Sequence, residues 1–280
     1  MAKKPHKKPQ KNSDRANGWV PEDVKAFLLE KADRYERPDF IADDPISIPG
    51  QFSEKGDIEV AGFLTASIAW GQRKTILSNA QALIHRMDHD PLAFVLHANA
   101  SEIRSASEGF VHRTFQPRDL ELFLHALQEL IRIHGDLESA FAMESIHPEG
   151  ATYGRISAFH RRFFDAALAR DFEPGRTLKH VANPVKGSAA KRLNMFLRWM
   201  VRSPKRGVDF GVWKNFPTQE LMIPLDVHTS QVGRKLGLLR RSANDWKALE
   251  ELMVSLRQID DEDPVRLDFA LFGLGAIEGF

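Results

Sequence analysis

Asp226, within the run Pro224-Leu225-Asp226-Val227-His228, is the side chain of this sequence best placed to do chemistry. An ionised carboxylate can stabilise a developing cation, and a helix N-cap keeps it ionised, because free backbone N–H groups and the helix dipole both favour the anion. The neighbouring residues create that position. Pro224 cannot sit inside a helix and biases its neighbours toward extended backbone, so the chain arrives straight and turns helical after Asp226. Val227, Val232 and Leu236 then keep helical spacing up to Gly237, a residue suited to the left-handed position past a helix end. The pattern equally admits a plain structural role, in which Asp226 only caps the helix and contributes about 1 kcal/mol.

The surrounding elements read as helices. A short helix is expected near Pro21 to Arg34, then a Pro-rich link from Pro38 to Gly50, then a largely buried helix capped by Asp57 and reaching Trp70. Ile76, Ala80, Leu83, Ile84 and Met87 trace one face of the next, which makes Gly71-Gln72 a helix-helix junction. Pro117 to Ile131 repeats the pattern through Leu120, Phe123, Leu124 and Leu127; Ile156, Phe159, Phe163 and Ala167 mark another helix, and Leu193, Phe196, Leu197 and Met200 one more. No clear period-two alternation and no long repeat interrupts this, so the expected fold class is all-α.

Composition limits the alternatives. The 280 residues can bury a full core; 42% are hydrophobic and 28% charged, as in a soluble globular protein. No apolar run is long enough to span a membrane and no apolar stretch follows the basic start, so no secretory signal, no membrane partner and a cytoplasmic location are expected. The absence of cysteine excludes disulfides, thiolate metal sites, iron-sulfur clusters and a thiol nucleophile. The histidines, among them His85, His89, His125 and His134, lack metal-ligand spacing with carboxylates; there is no phosphate loop or dinucleotide fingerprint, and neither a metal nor a cofactor is expected.

A net charge of +1 makes no global case for nucleic acid, but the distribution does. Lys186, Lys191, Arg192, Arg198, Arg202, Lys205 and Arg206 form a stretch free of acids, and Arg234, Lys235, Arg240 and Arg241 form a second; the two flank Asp226. Acids gather elsewhere, at Asp260 to Asp263, which with Asp43-Asp44 read as solvated turns. The expectation is a polarised molecule with one face suited to phosphates, against the plainer reading of a solvated helix face. Residues 1–18, with Lys3, Lys4, Lys7, Lys8 and Lys11 and almost nothing apolar, are expected to be a disordered basic tail.

Pro-x-Asp-x-His, with Val232 and then Lys235-Leu236-Gly237 beyond it, resembles the catalytic-aspartate segment of the helix-hairpin-helix DNA glycosylase superfamily, which reads Pro-Val-Asp-Thr-His, then Arg-Val, then Asn-Arg-Leu-Gly. Ile68-Ala69-Trp70-Gly71-Gln72-Arg73-Lys74-Thr75 resembles the early family motif whose Gln fills the gap left in DNA by an extruded base. Asp268-Phe269-Ala270-Leu271-Phe272-Gly273 resembles the last core helix more loosely. The chain as a whole resembles still more closely a bacterial family of similar length and unknown function, marked by Lys-Arg-Leu-Asn-x-Phe-Leu-Arg-Trp-Met and Pro-Leu-Asp-Val-His. The superfamily resemblance implies a two-lobed helical bundle over residues 19–280 and breakage of an N-glycosidic bond through an oxocarbenium-like sugar, which Asp226 would stabilise. The four-cysteine cluster that ends several branches is missing.

In bifunctional members a lysine upstream of the aspartate attacks the sugar, entered through a hairpin reading Leu-Pro-Gly-Val-Gly-x-Lys. Here Asn183-Pro184-Val185-Lys186-Gly187-Ser188-Ala189-Ala190-Lys191 keeps a Pro, one Gly and a Lys without the two-glycine spacing. Ala190-Lys191-Arg192-Leu193-Asn194-Met195-Phe196 resembles the Ala-Lys-x-x-x-Phe helix of the archaeal oxoguanine branch, which favours Lys191 over Lys186. Less than about 0.1% of a free lysine is neutral at pH 7, so attack demands burial or cationic neighbours; on the helical wheel Lys191 lies opposite the apolar face, in a groove or in water.

The resemblance thus implies Asp226 and Lys191 as catalytic residues. It implies Gln72, Arg73, Lys186, Arg192, Arg198, His228, Arg234 and Lys235 at the DNA, with His228 supporting the helix start, and Trp70, Trp199, Trp213 or Phe216 at an extruded base. Damaged duplex DNA is the partner implied, with base excision and abasic-site lyase activity. A nucleic-acid-binding protein that kept the fold without the chemistry is the second reading. An unrelated all-α protein with no basic groove beside Asp226 is the third.

Overall fold

Prolines and short polar side chains punctuate this chain into helices. The computed structural model describes residues 19–143 and 147–280, so the basic tail expected over 1–18 lies outside the described residues. Among the described residues there are twelve α-helices, linked in part by 3₁₀ turns, and no β-strand: the chain is all-α. In order they are α1 (Glu22–Tyr35), α2 (Lys55–Ser67), α3 (Arg73–Arg86), α4 (Pro91–His97), α5 (Ala100–Ser107), α6 (Pro117–His134), α7 (Leu137–Ala140), α8 (Ala151–Leu168), α9 (Lys191–Val201), α10 (Val227–Lys235), α11 (Trp246–Arg257) and α12 (Leu267–Ala276). No helix among them is long and apolar enough to cross a membrane.

Helix ends follow local chemistry. Asp90 accepts from the amide of Ala93 ahead of Pro91, Asn99 and Glu102 form a reciprocal capping box on α5, and Gly135 closes α6 with φ +88°. One cap differs from expectation. The residue ahead of α2 is Glu54, and Asp57, already inside the first turn, instead accepts the amide of Leu92 (2.9 Å) and so ties α2 to α4. Helix α2 stops at Ser67 rather than Trp70, and every residue from Ile58 to Ser67 is buried, which is why its sequence is apolar all round.

Packing forms one large apolar core, running from Val20 to Leu274, and a small second cluster of Tyr35, Val208 and Phe269. Helix α2 packs along α9 and α6 along α8, while α1 returns from the N-terminal side to lie along α12, which also packs against α10. Phe63 of α2 is ringed by Phe123, Phe159, Phe163 and Phe196 at centroid distances of 5.4–5.8 Å. The α1–α12 contact depends on Gly273, because a Cβ there would sit 2.3 Å from Cδ2 of Tyr35. Gly273→Ala is therefore expected to cost about 1–3 kcal/mol through overpacking, read as a lowered thermal midpoint. An unchanged midpoint would mean that the two helices do not meet at that ring.

Helix α9 departs from its wheel. Leu193, Phe196, Leu197 and Met200 are buried as the spacing demands, but Arg198 and Arg202 are buried too, with side chains 7% and 4% exposed. Arg198 binds Asp209 (3.2 Å) and Asp268 (2.8 Å), and Arg202 binds Asp209, Asp263 and Glu36. Asp263 is therefore no solvated turn residue, and Asp260 caps its amide at 2.9 Å. Asp44 likewise caps the 3₁₀ turn Pro45–Ser47. Of the acids expected to lie apart from the basic run, Asp263 is a partner of Arg202, and within the run Arg198 and Arg202 are neutralised internally.

Candidate active site

The two ends of the site come from the first turns of two helices. At α10, Asp226 has extended backbone (φ −116°, ψ −172°) and its Oδ1 accepts the amide of Thr229 at 2.9 Å, the N-cap geometry that Pro224 and the following helical spacing predict. Gly237 follows with φ +74°. At α9, the entering segment turns through Pro184–Lys186 and a left-handed Gly187, and the Gly187 carbonyl accepts the amide of Trp246 (3.0 Å), which fixes the turn against α11. Ala190 then takes a left-handed conformation (φ 47°), a position usually left to glycine, and offers no side-chain cap. Lys191 is the first residue of the helix.

This arrangement brings Lys191 Nζ to 3.4 Å from Asp226 Oδ2. The lysine is 41% exposed and the aspartate 14%, so the pair lies at a mouth rather than in the core. Both line a cavity of about 190 Å³, with Phe40, Trp70, Phe272 and Asp268 among its walls. A cavity of about 150 Å³ takes up benzene, so this one has room for a single planar ring system. Arg73 lines it as well, and Gly71 beside it has φ +107°, next to the Arg113 side chain.

A broader groove of about 700 Å³ adjoins the cavity and shares Ala69, Trp70 and Lys191 with it. Arg176, Lys179, Lys186, Lys191 and Arg192 line this groove, and among the described residues no acidic one does. Arg192 is held at its rear. Its guanidinium donates to the Ser67 carbonyl and lies 4.6 Å over the Trp70 ring, and burial pushes its pKa down to about 10. Beneath Trp70, His180 stacks at 5.7 Å, and burial lowers its pKa to about 4 despite the Asp119 carboxylate at 3.4 Å.

Several residues expected at the site are elsewhere. Arg198 does line the cavity, but its guanidinium is buried between Asp209 and Asp268 and bound to both rather than open to a phosphate. Trp199 and Trp213 are fully packed core side chains, 0% and 2% exposed, and line neither cavity nor groove; the Trp213 indole donates to Glu59 at 2.6 Å. Arg234 donates to the carbonyls of Arg241 and Ser242 and to Asn244, and so holds the α10–α11 loop. Phe216 is buried beneath Arg155, 4.2 Å from its ring. Gln72 is exposed at the start of α3 without capping it, and His228 is exposed, 6.0 Å from the Phe272 ring. Lys235 is exposed and lies 5.8 Å from the Phe280 ring.

Other residues emerge only from the fold. Phe40 and Phe272, 6.3 Å apart, form an aromatic wall that joins the Pro-rich link to the last helix. Arg176 and Lys179 sit on the 3₁₀ turn Gly175–His180, outside the acid-free runs. Asp268 lines the cavity together with Asp226 and Asp44. It lies in the most apolar helix of the chain, where sequence spacing reads only core, yet it lines the cavity and burial pushes its pKa up to about 7, with Arg198 opposing and Asp226 adding to the rise.

Neither a curated protein nor a solved structure matches the chain. A family model does, over residues 44–277, which include both first turns, the last helix and the cavity lining apart from Phe40 and Ile41. The chain belongs to the family described as protein of unknown function DUF2400.

Proposed function

We propose that this chain is a DNA glycosylase-like protein that removes a base from damaged DNA, with Asp226 and Lys191 as its reacting groups and with abasic-site lyase activity following from the lysine. The observation that carries the reading is the 3.4 Å approach of Lys191 Nζ to Asp226 Oδ2 at the mouth of a base-sized cavity. The groove beside it supports the reading: Lys191 pairs with Asp226 and Arg176 with Asp119, while Lys179 and Lys186 are exposed along it and suit a polyanionic strand. A helical bundle of the helix-hairpin-helix glycosylase type belongs to the same proposal.

The chemistry runs as follows. The bond from the sugar carbon C1′ to the base nitrogen breaks with its electron pair going to the base, and C1′ becomes cationic. The Asp226 carboxylate, positioned by the Thr229 amide that donates to its Oδ1, stabilises that charge. Lys191, 41% exposed at the mouth, releases one ammonium proton to solvent and its nitrogen forms the new bond to C1′. Phe40 and Phe272 wall the extruded base. Borohydride trapping on duplexes carrying oxidised bases or an abasic site tests this. The expected result is a covalent adduct with wild type and none with Lys191→Ala; a lesion panel without any Lys191-dependent adduct overturns the lyase chemistry.

The groove makes a separate prediction. Lys179 and Lys186 are exposed and line it, so Lys179→Ala and Lys186→Ala should each reduce the slope of log binding constant against log salt by about 1 and leave stability unchanged. Fluorescence anisotropy on a labelled duplex at several salt concentrations measures it. Binding with that salt slope but no base release, and no change on Asp226→Asn, identifies the non-catalytic nucleic-acid-binding protein instead.

A further inference from the structure

Asp268 shares the cavity with Asp226 and Lys191, but its two oxygens differ. Oδ2 is held from behind by Arg198 Nη1 at 2.8 Å, whereas Oδ1 has only a long contact, 3.4 Å from Thr229 Oγ1. One carboxyl oxygen is thus anchored and the other is left to the cavity. The charges around it do not balance. Arg198 is shared with Asp209, and Asp44 acts on it as well, while Arg202 is divided among Asp209, Asp263 and Glu36. Asp226 adds a further negative charge from the first turn of α10, and Lys191 of α9 opposes it.

The other elements packed on α12 do not remove this excess. From α1, the Tyr35 hydroxyl is occupied by Glu278; from the turn before α12, Arg266 is bound to Asp33 and Glu36; His228 on α10 faces Phe272. Arg73 of α3 lines the far wall of the cavity. Asp44, which also lines the cavity, accepts the Ile46 amide as the cap of its own turn. Carboxyls that share a cavity but differ in burial divide their roles, the buried one holding a proton and the better solvated one staying anionic.

We propose that Asp268 is the general acid of this site, donating its proton to the departing base while Asp226 remains anionic beside the sugar, an inference that rests on the base-excision reading above. As C1′–N breaks and its electron pair moves onto the base, the Oδ1 proton passes to a ring nitrogen or exocyclic oxygen of that base, which leaves neutral; Asp268 becomes the carboxylate and Arg198 stabilises it. Lys191 provides the new bond to C1′, so the acid and the nucleophile are different groups. Asp268 touches the leaving group and Arg198 acts through it as a positioning residue.

Two measurements test the proposal. Single-turnover base release by wild type should decline above about pH 7, and Asp268→Asn should lose about 10²-fold at pH 6 and show no such decline, with DNA affinity unchanged. Independently of activity, carbon-13 NMR of aspartate-labelled protein should show a carboxyl titrating near neutrality in addition to Asp209, whose pKa burial pushes up to about 6, and Asp226→Asn should move the midpoint of the former to lower pH, because a neighbouring negative charge has gone. That second arm holds if Asp268→Asn fails to fold. A rate and pH profile of base release in Asp268→Asn equal to those of wild type, or no aspartate other than Asp209 titrating near neutrality, overturns the acid role alone. A wild type that releases no base from any lesion overturns the base-excision reading itself.

Discussion

Asn in place of Asp226 is expected to reduce base release by at least about 10²-fold and to leave the fold and its stability almost untouched. Asn caps helices about as well as Asp, so the bond from the Thr229 amide survives the exchange. The ion pair with Lys191 is lost, but that lysine is 41% exposed, and partly solvated pairs contribute about 0–1 kcal/mol. The lost interaction of the charge with the helix dipole adds about 0.3–1 kcal/mol. Asp226→Ala removes the cap as well, at a further cost of about 1 kcal/mol, so the two variants separate capping from chemistry. Single-turnover kinetics beside thermal melts make the comparison. If Asp226 only caps α10, Asp226→Asn behaves as wild type in both, and the carboxylate has no chemical role.

Features written in local sequence were legible; features made by distant pairing were not. The start of α10 could be read because Pro224, Asp226 and Gly237 each impose a backbone state, and the structure has all three in place. The apolar face of α9 was legible for the same reason. Arg198 and Arg202 were not, since a periodicity reading assigns charge to solvent, whereas their partners Glu36, Asp209, Asp263 and Asp268 arrive from four other segments. Asp268 was hidden by its own apolar helix. The tryptophans misled for a related reason: Trp199 lies on the wholly buried side of α9 and Trp213 has a buried acceptor in Glu59, so both are core, and the cavity takes its aromatic wall from Phe40 and Phe272 instead. Arg176 and Lys179 reach the groove through a 3₁₀ turn that carries no charge-run signature.

The buried ion network makes the second large prediction, and it concerns stability. Arg202 donates to both oxygens of Asp263 (2.8–2.9 Å) and to Asp209 (3.0 Å), and contacts Glu36, with only 4% of its side chain exposed. Arg202→Met keeps much of the apolar stem but leaves these carboxylates facing one another. Removing one partner of a buried ion pair costs about 3–5 kcal/mol, chiefly because the remaining charge is left uncompensated. A whole domain is stable by only about 5–15 kcal/mol, so the urea midpoint should fall steeply. Arg202→Lys should recover little of the loss, because an ammonium cannot span acceptors on three sides as a guanidinium does. The deficit should also depend on pH. In the wild type, burial pushes Asp209 up to about 6 while Arg198 and Arg202 oppose the rise; without Arg202 the carboxyl takes up its proton at still higher pH. The folded variant then binds more protons than its unfolded chain between the unfolded carboxyl range near pH 4 and that raised value. Its stability therefore increases as pH is lowered through this window, and the gap to wild type should be smaller at pH 5 than at pH 8. A gap within about 1 kcal/mol at both values would mean that Arg202 is better solvated than its position implies and that the acid-free run on α9 is available to an outside anion after all.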